Sequence, residues 1–254
     1  MDAVLIGLLP DVPPEVPGVR VATLAQAQDR QLPLVLGWFD GRLALKATAG
    51  KETPLAVDFT AGKQGYRLAA DRVRHERLVK ALGGIPETPL AVIDATGGLG
   101  RDALVIAQAG FQVTLLERSP VLHAMLADGI SRLRRDEPAL AARLTLHHAD
   151  SIDWLAQCAT PVFAVYLDPM FPQRQKSAAV KKDLLWLQQL ESAPTPEQEA
   201  ALLEQARRCA DKRVVVKRPL RAPPLAGKAP SGQIAGKSVR FDIYTGSVSA
   251  GASS

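Results

Sequence analysis

Cysteine is scarce in this chain of 254 residues, which contains only Cys158 and Cys209. The two lie far apart in the sequence and form no C-x-x-C pair, so we predict buried thiols in a protein of the reducing cytoplasm. The four histidines lack the cysteine or carboxylate spacing of a metal site. We therefore expect no bound metal.

Long apolar runs are missing as well. No stretch approaches 18 uncharged apolar residues, so we expect no membrane span. Asp2 stands where a signal peptide needs a base, which argues against secretion. Aromatic residues are few, with 3 Trp, 3 Tyr and 6 Phe, and the core is expected to be aliphatic. A composition of 47% apolar and 22% charged residues is typical of a globular protein and excludes disorder for most of the chain.

The net charge of +5 is unevenly distributed along the chain. Residues 212–240 contain eight bases and no acid, and residues 169–182 contain four bases and no acid. The remainder of the chain is therefore acidic. Two basic segments on an acidic body indicate a polyanionic partner bound at one place, although a solvated basic face would give the same composition.

The pattern of strands and helices changes near residue 86. Residues 1–85 contain short strand-like runs, a hairpin signal at Asp40-Gly41 and one helix over about 68–82, which predicts a small N-terminal α/β region. Residues 86–247 alternate apolar strands with helices. This alternation predicts an α/β fold with a mostly parallel sheet and helices on both faces. Residues 248–254 are predicted to be a flexible tail.

Acidic residues end four successive predicted strands: Asp94, Glu117, Asp150 and Asp168. In open α/β sheets, ligands bind outside the carboxyl ends of the strands. A single acid at such a place is commonly the cap of the next helix, and Asp150 or Ser151 would suit that role. Four acids at the end of one sheet nevertheless favour a shared ligand site.

A glycine-rich turn follows the first of these strands, from Asp94 to Asp102. It does not match the dinucleotide motif G-x-G-x-x-G. Asp102 at the start of a helix would repel a pyrophosphate, but it would attract a cationic ligand. The turn therefore favours S-adenosylmethionine over NAD. Glu117 could accept the ribose hydroxyls of either ligand, while Arg118 would lie over the adenine or in solvent.

The segment Asp168-Pro169-Met170-Phe171-Pro172 follows the fourth strand. The exocyclic amine of a nucleobase is a poor nucleophile because its lone pair is delocalised into the ring. The Asp168 carboxylate and the Pro169 carbonyl could each accept a hydrogen bond from that amine and orient its lone pair. Phe171 could stack on the flipped base. The alternative is a rigid turn that carries a core phenylalanine.

These two segments together resemble the class I S-adenosylmethionine-dependent methyltransferases. In the glycine-rich turn, Asp94, Gly98 and Gly100 match the family motif, and Thr96 stands where its first glycine is usual. The fourth-strand segment resembles the Asp/Asn-Pro-Pro-Tyr/Phe signature of amino-methylating enzymes, with Met170 in place of the second proline. The resemblance implies a Rossmann-like sheet.

A more specific resemblance, over about residues 55–245, is to the bacterial 16S ribosomal RNA guanine-N2 methyltransferases of the small-subunit methyltransferase J family. It is carried by the two segments above together with residues 116–118, 175–177, 180–182, 213–219 and 240–244. It implies S-adenosylmethionine as methyl donor and a guanosine near the 3′ end of 16S rRNA as substrate. The implied cofactor contacts are Arg101, Asp102, Glu117, Arg118, Asp150, Ser151 and Asp168.

The resulting hypothesis is a cytoplasmic rRNA methyltransferase that acts on the small ribosomal subunit without an obligate protein partner. Asp168, Pro169 and Phe171 would act on the base. Bases that follow strands four and five would contact RNA phosphates, namely Arg174, Lys176, Lys181, Lys182, Lys217 and Arg218. Three alternatives are an NAD-dependent oxidoreductase, a non-enzymatic RNA-binding module on a decayed methyltransferase fold, and an adenine-N6 or DNA amino-methylase.

Overall fold

The computed structural model describes residues 5–59, 70–169, 185–187, 189–190 and 193–247. These residues form two β-sheets and the helices that pack on them. No helix in these ranges has the length and apolar character needed to cross a membrane.

The smaller sheet is N-terminal and has the strand order β2-β1-β3-β4-β5. Its strands are β1 (Gly7–Leu8), β2 (Val19–Arg20), β3 (Leu34–Phe39), β4 (Arg42–Ala47) and β5 (Leu55–Ala56). Helix α1 (Leu24–Asp29) connects β2 to β3. The predicted hairpin is confirmed, because β3 and β4 pair antiparallel through Asp40 (φ 50°) and Gly41 (φ 70°). Left-handed backbone at both central residues is what a type I′ turn requires.

The predicted single helix over 68–82 is wrong within the described residues. Two short helices stand there, α2 (Ala70–Val73) and α3 (Arg77–Ala81). They are separate because Glu76 has extended backbone (ψ 130°), which interrupts the helical hydrogen bonding. Gly83 follows α3 with φ 106° and ends the segment near the predicted place.

The larger sheet has seven strands in the order β11-β12-β10-β9-β6-β7-β8. All neighbours from β10 to β8 are parallel, while β12 runs antiparallel to β10 and to β11. This arrangement confirms the predicted mostly parallel, Rossmann-like sheet. The strands are β6 (Ala91–Asp94), β7 (Gln112–Glu117), β8 (Leu144–His148), β9 (Val162–Leu167), β10 (Ala210–Pro219), β11 (Gly232–Ala235) and β12 (Val239–Thr245).

Among the described residues, the α-helices with defined bounds between these strands follow the order that the sequence pattern predicts, with one short addition. They are α4 (Arg101–Gln108), α5 (Pro120–Asp136), α6 (Pro138–Ala141), α7 (Ser151–Ala156) and α8 (Pro196–Cys209). Helix α8 begins with a capping box, in which Thr195 and Gln198 satisfy each other's backbone N–H groups.

The two sheets share one hydrophobic core. Leu43 and Leu45 of β4 belong to the same buried cluster as Leu126 and Ile130 of α5. A polar contact joins the same elements, since the backbone N–H of Leu43 donates to Asp128 Oδ2 at 3.2 Å. The division of the chain near residue 86 remains a prediction, and the packing across it is continuous.

The two cysteines differ from the sequence-based expectation of separate thiols. Cys158 and Cys209 are joined by a disulfide, with their Cα atoms 5.8 Å apart. Cys209 ends α8, and Cys158 follows the neighbouring helix α7. The two cysteines are 51 residues apart in the sequence, and they come together only because these two helices pack side by side.

The strand order reverses between β6 and β9. From β6 the chain proceeds outward through β7 and β8, and it then returns to the other side of β6 as β9 and β10. A crevice opens at the carboxyl ends of the two central strands in such a sheet, and ligands bind there. Asp94 ends β6, and Asp168 follows β9 directly, so both acids lie at this position.

Candidate functional site

The glycine-rich turn after β6 is tightly packed. Gly98 (φ 54°) and Gly100 (φ 69°) both have left-handed backbone, and Gly100 precedes the first residue of α4. A Cβ atom at Gly100 would lie 2.8 Å from Leu126 Cδ2 and 3.0 Å from the Phe59 ring. The backbone conformation and the close packing thus both require glycine at this position.

Glu117, at the end of β7, fixes the conformation of this turn. Its carboxylate is buried and accepts hydrogen bonds from two backbone N–H groups, Gly98 N on Oε2 at 2.6 Å and Ser119 N on Oε1 at 2.8 Å. Each carboxylate oxygen has a second lone pair. Glu117 therefore holds the turn from the end of β7 while its carboxylate keeps the geometry of a multiple acceptor.

Thr96 links the two central strands, a role that the sequence analysis missed. Its Oγ1 accepts a hydrogen bond from the backbone N–H of Asp168 at 2.7 Å and donates to Asp94 Oδ1 at 3.3 Å. Its own backbone N–H donates to Asp94 Oδ1 at 3.0 Å. The departure from glycine at this position was the available signal, because a hydroxyl can both accept and donate a hydrogen bond, which glycine has no side chain to do.

Asp102, Asp168 and Lys217 form a compact charged cluster at the crevice. Lys217 Nζ donates to Asp102 Oδ2 and to Asp168 Oδ2, each at 2.7 Å. The hydroxyl of Tyr166 donates to the same Asp102 oxygen at 2.8 Å. Together with Asp94, the site holds three carboxyl groups beside one ammonium. Even when Asp94 is protonated, the two carboxylates of Asp102 and Asp168 outnumber the ammonium of Lys217, so the site favours a positively charged ligand.

The environment shifts the pKa values of several groups in this cluster. Burial raises the pKa of Asp94 to about 7, the Thr96 backbone N–H opposes that shift, and Asp102 and Asp168 add to it. Burial also raises the pKa of Tyr166 well above its ordinary value, with Asp102 adding to the shift. Tyr166 therefore keeps its proton and remains a hydrogen-bond donor at neutral pH.

Asp94 gives the fold a specific pH dependence. Its pKa is higher in the folded chain than the ordinary 3.8, so the folded state binds the proton more tightly and stability falls as pH rises toward about 7. Between pH 5 and pH 8, this effect is expected to lower the free energy of unfolding by about 2–3 kcal/mol. We expect Asp94→Asn to abolish that decrease. Denaturant unfolding of both proteins without ligand at the two pH values measures the difference.

The exposed residue Asp29 at the end of α1 offers a matched control for this measurement. Asp29→Asn is expected to keep the pH dependence of the unmodified chain. Equal slopes for the unmodified protein and Asp94→Asn would contradict the assignment of a raised pKa to Asp94.

The other predicted cofactor contacts have mixed environments. Asp150 caps α7, where its Oδ1 accepts from Ile152 N at 2.8 Å, as the capping alternative proposed. Ser151 Oγ donates to the Ala95 carbonyl at 2.6 Å and so ties α7 to the turn after β6. Arg101 begins α4, Arg118 follows β7, and both residues are exposed.

The structure changes the interpretation of two predicted RNA-contacting bases. Lys217 points into the carboxylate cluster instead of toward solvent. Arg218 is 2% exposed, and its Nε donates to the Pro223 carbonyl at 3.1 Å, so its guanidinium is not presented to a phosphate. Successive side chains along β10 lie on opposite faces of the sheet. The number of basic residues in the sequence segment could not distinguish these two environments.

The remaining predicted site residues divide between described and undescribed parts of the chain. Pro169 is buried directly after Asp168. Phe171, Arg174, Lys176, Lys181 and Lys182 lie outside the described residues. Within the described ranges, no group of three or more His, Cys, Asp or Glu residues could hold a metal ion.

Comparisons with known proteins agree on one family. A family model for SAM-dependent methyltransferases matches residues 20–246. A protein of Alcanivorax borkumensis named "Ribosomal RNA small subunit methyltransferase J" is 56% identical, over 96% of this chain and 97% of its own length. A protein of the same name from Alkalilimnicola ehrlichii is 49% identical, over 80% of this chain and 79% of its own.

A solved structure is similar over nearly the whole chain. It is a SAM-dependent methyltransferase from Neisseria gonorrhoeae, which is 32% identical and superimposes with a TM-score of 0.73. The match covers 95% of this chain and 96% of the other. The N-terminal sheet and the large sheet thus recur together in a related protein.

Proposed function

This chain belongs to the ribosomal RNA small subunit methyltransferase J family of SAM-dependent methyltransferases, and on that basis we propose that it methylates the exocyclic N2 of a guanosine near the 3′ end of 16S rRNA. The observation that carries the proposal is the position of Asp168 and Pro169. They lie at the crevice between β9 and β6, beside a cluster with excess negative charge.

The residues at the crevice fit S-adenosylmethionine. The ligand has a sulfonium and an ammonium group, and the carboxyl groups of Asp94, Asp102 and Asp168 exceed the single neighbouring ammonium of Lys217. Glu117, at the end of β7, is proposed as the acceptor for ribose hydroxyls, and the left-handed backbone of Gly98 and Gly100 shapes the turn beside it. We propose Arg101, Arg118, Asp150 and Ser151 as further contacts. When bound, S-adenosylmethionine supplies an electrophilic methyl group.

The residues of this chain act by orienting the guanine amine. Asp168 Oδ2 is occupied by Lys217, and among the described residues Oδ1 accepts no hydrogen bond. We assign Oδ1 and the Pro169 carbonyl as the two acceptors for the N2 protons. Two fixed acceptors favour a pyramidal nitrogen whose lone pair is directed at the methyl carbon. Thr96 holds the backbone of Asp168, so the acceptors are in place before the base arrives.

The proposed partner is the small ribosomal subunit or its RNA, in the cytoplasm where that subunit is made. The basic residues Arg174, Lys176, Lys181 and Lys182 are proposed as phosphate contacts on the grounds of their sequence, and Phe171 as the stacking side chain. Lys217 and Arg218 are not part of this proposed surface, because both side chains bond within the protein.

Methylation of small subunits from cells that lack the gene tests the proposal. The purified chain and S-adenosylmethionine are incubated with these subunits or with naked 16S rRNA, and the digested RNA is analysed by mass spectrometry. We expect one N2-methylguanosine near the 3′ end. A methyl group on adenosine would favour the adenine-N6 alternative, and no transfer to either substrate would refute the proposal.

A further inference from the structure

Lys217 differs from the other basic residue at this end of β10, because its side chain points into a cluster of carboxylates. It lies in β10. The residue before it, Val216, pairs in parallel register with Leu167 of β9. Lys217 therefore lies alongside Asp168, at the same edge of the sheet. Its side chain is 26% exposed, compared with 53% for Lys212 at the other end of the same strand.

We propose that Lys217 is a positioning residue for methyl transfer. Its ammonium, which bonds both Asp102 and Asp168, keeps the Asp168 carboxylate ionised and holds it in one orientation. The inference rests on the proposed function. It replaces the expectation that Lys217 contacts RNA phosphate.

The geometry supports a role in orientation. Lys217 Nζ donates one hydrogen bond to each of the two carboxylates, both at 2.7 Å. Asp102 is itself held by the Tyr166 hydroxyl, so the ammonium is anchored on α4 and β9 while it holds Asp168. With Oδ2 restrained in this way, Oδ1 of Asp168 keeps a fixed direction for the amine. A displacement of about 1 Å at such an acceptor is enough to lower a rate on the order of 100-fold.

The electrostatics support a role in ionisation. Burial and the nearby Asp102 raise the pKa of Asp168, and Lys217 and Arg218 oppose that rise. Burial disfavours the charge of Lys217, but the two carboxylates raise its pKa above its ordinary value, so the ammonium stays charged. Asp94 and Tyr166 also face the cluster. Loss of the ammonium would leave Asp102 and Asp168 as adjacent carboxylates, one of which would take up a proton.

The test compares Lys217→Met, Lys217→Arg and the control Lys212→Met with the unmodified chain. Steady-state methylation of the small subunit is measured from pH 6 to pH 9. We expect Lys217→Met to lower kcat about 100-fold at neutral pH. We also expect the rising limb of its pH profile to move up by about 1–3 pH units. Lys217→Arg keeps the charge and should restore most of kcat with an unshifted profile, and Lys212→Met should behave as the unmodified chain.

Other outcomes separate this inference from competing explanations. If Lys217→Met raises KM for the subunit while kcat keeps its pH profile, Lys217 is an RNA contact and the inference is overturned. The inference is also overturned if Lys217→Met leaves the pH profiles of both kcat and KM unchanged. If Lys217→Met does not fold, Lys217→Gln keeps a hydrogen-bond donor without the charge, and the same shift of the profile is expected. Absence of methylation by the unmodified chain would instead refute the proposed function.

Discussion

Asp168→Ala is expected to lower methyl transfer to the small subunit by about 100-fold or more. The variant removes one of the two proposed acceptors for the guanine amine and releases Lys217 from its second carboxylate. Its side chain is 38% exposed, so little packing is lost and the fold should persist. Initial rates at saturating cofactor and subunit, together with a thermal unfolding midpoint, measure the two effects separately.

Two matched variants make this result specific. Asp168→Asn keeps an acceptor oxygen and is expected to retain part of the activity, while Asp29→Ala removes an exposed carboxylate far from the crevice in sequence and should be fully active. The dissociation constant for S-adenosylmethionine must be measured in Asp168→Ala, because Asp168 is also a proposed cofactor contact. Normal turnover by Asp168→Ala would remove it from the amine-orienting role.

Glu117→Ala is expected to weaken S-adenosylmethionine binding about 10- to 100-fold, which corresponds to about 1.5–3 kcal/mol. Two effects combine in this variant. The proposed hydrogen bonds to the ribose are lost, and the N–H groups of Gly98 and Ser119 lose their buried acceptor. Isothermal calorimetry with S-adenosylmethionine measures the change.

Glu117→Gln separates the two effects, because its amide retains one acceptor oxygen but carries no charge. We expect an affinity between those of the unmodified chain and Glu117→Ala. NAD serves as the negative control ligand and should bind none of the three proteins. An unchanged dissociation constant in Glu117→Ala would exclude Glu117 from the cofactor site.

The sequence predicted most of the large sheet because its signals are local. Continuous apolar runs, glycines that end helices and acidic residues that end strands locate β6 to β10 without knowledge of tertiary contacts. The same reasoning identified Asp94, Glu117 and Asp168, since the carboxyl ends of parallel strands converge at one edge. Strands as short as β2, and the break between α2 and α3, leave too weak a periodic pattern to be recognised.

The side-chain environments were less accessible to sequence reasoning. Lys217 and Arg218 are adjacent bases in a basic segment, yet one binds two carboxylates and the other is buried against the chain that follows β10. Thr96 departs from the glycine pattern of the turn, and its bridging role depends on the close approach of two strand ends that are 72 residues apart. The pairing of Cys158 with Cys209 likewise depends on which helices pack side by side.

The shared core of the two sheets has a consequence for biosynthesis. The contact between Leu43 and Asp128 joins positions 85 residues apart, and the apolar side chains of β4 share one buried cluster with α5. At a synthesis rate of about 5–20 residues per second, α5 follows β4 with a delay on the order of ten seconds. During that interval the N-terminal sheet has left the ribosome without the helix that buries it. The first third of the nascent chain is therefore a candidate client for chaperones that hold exposed apolar surface.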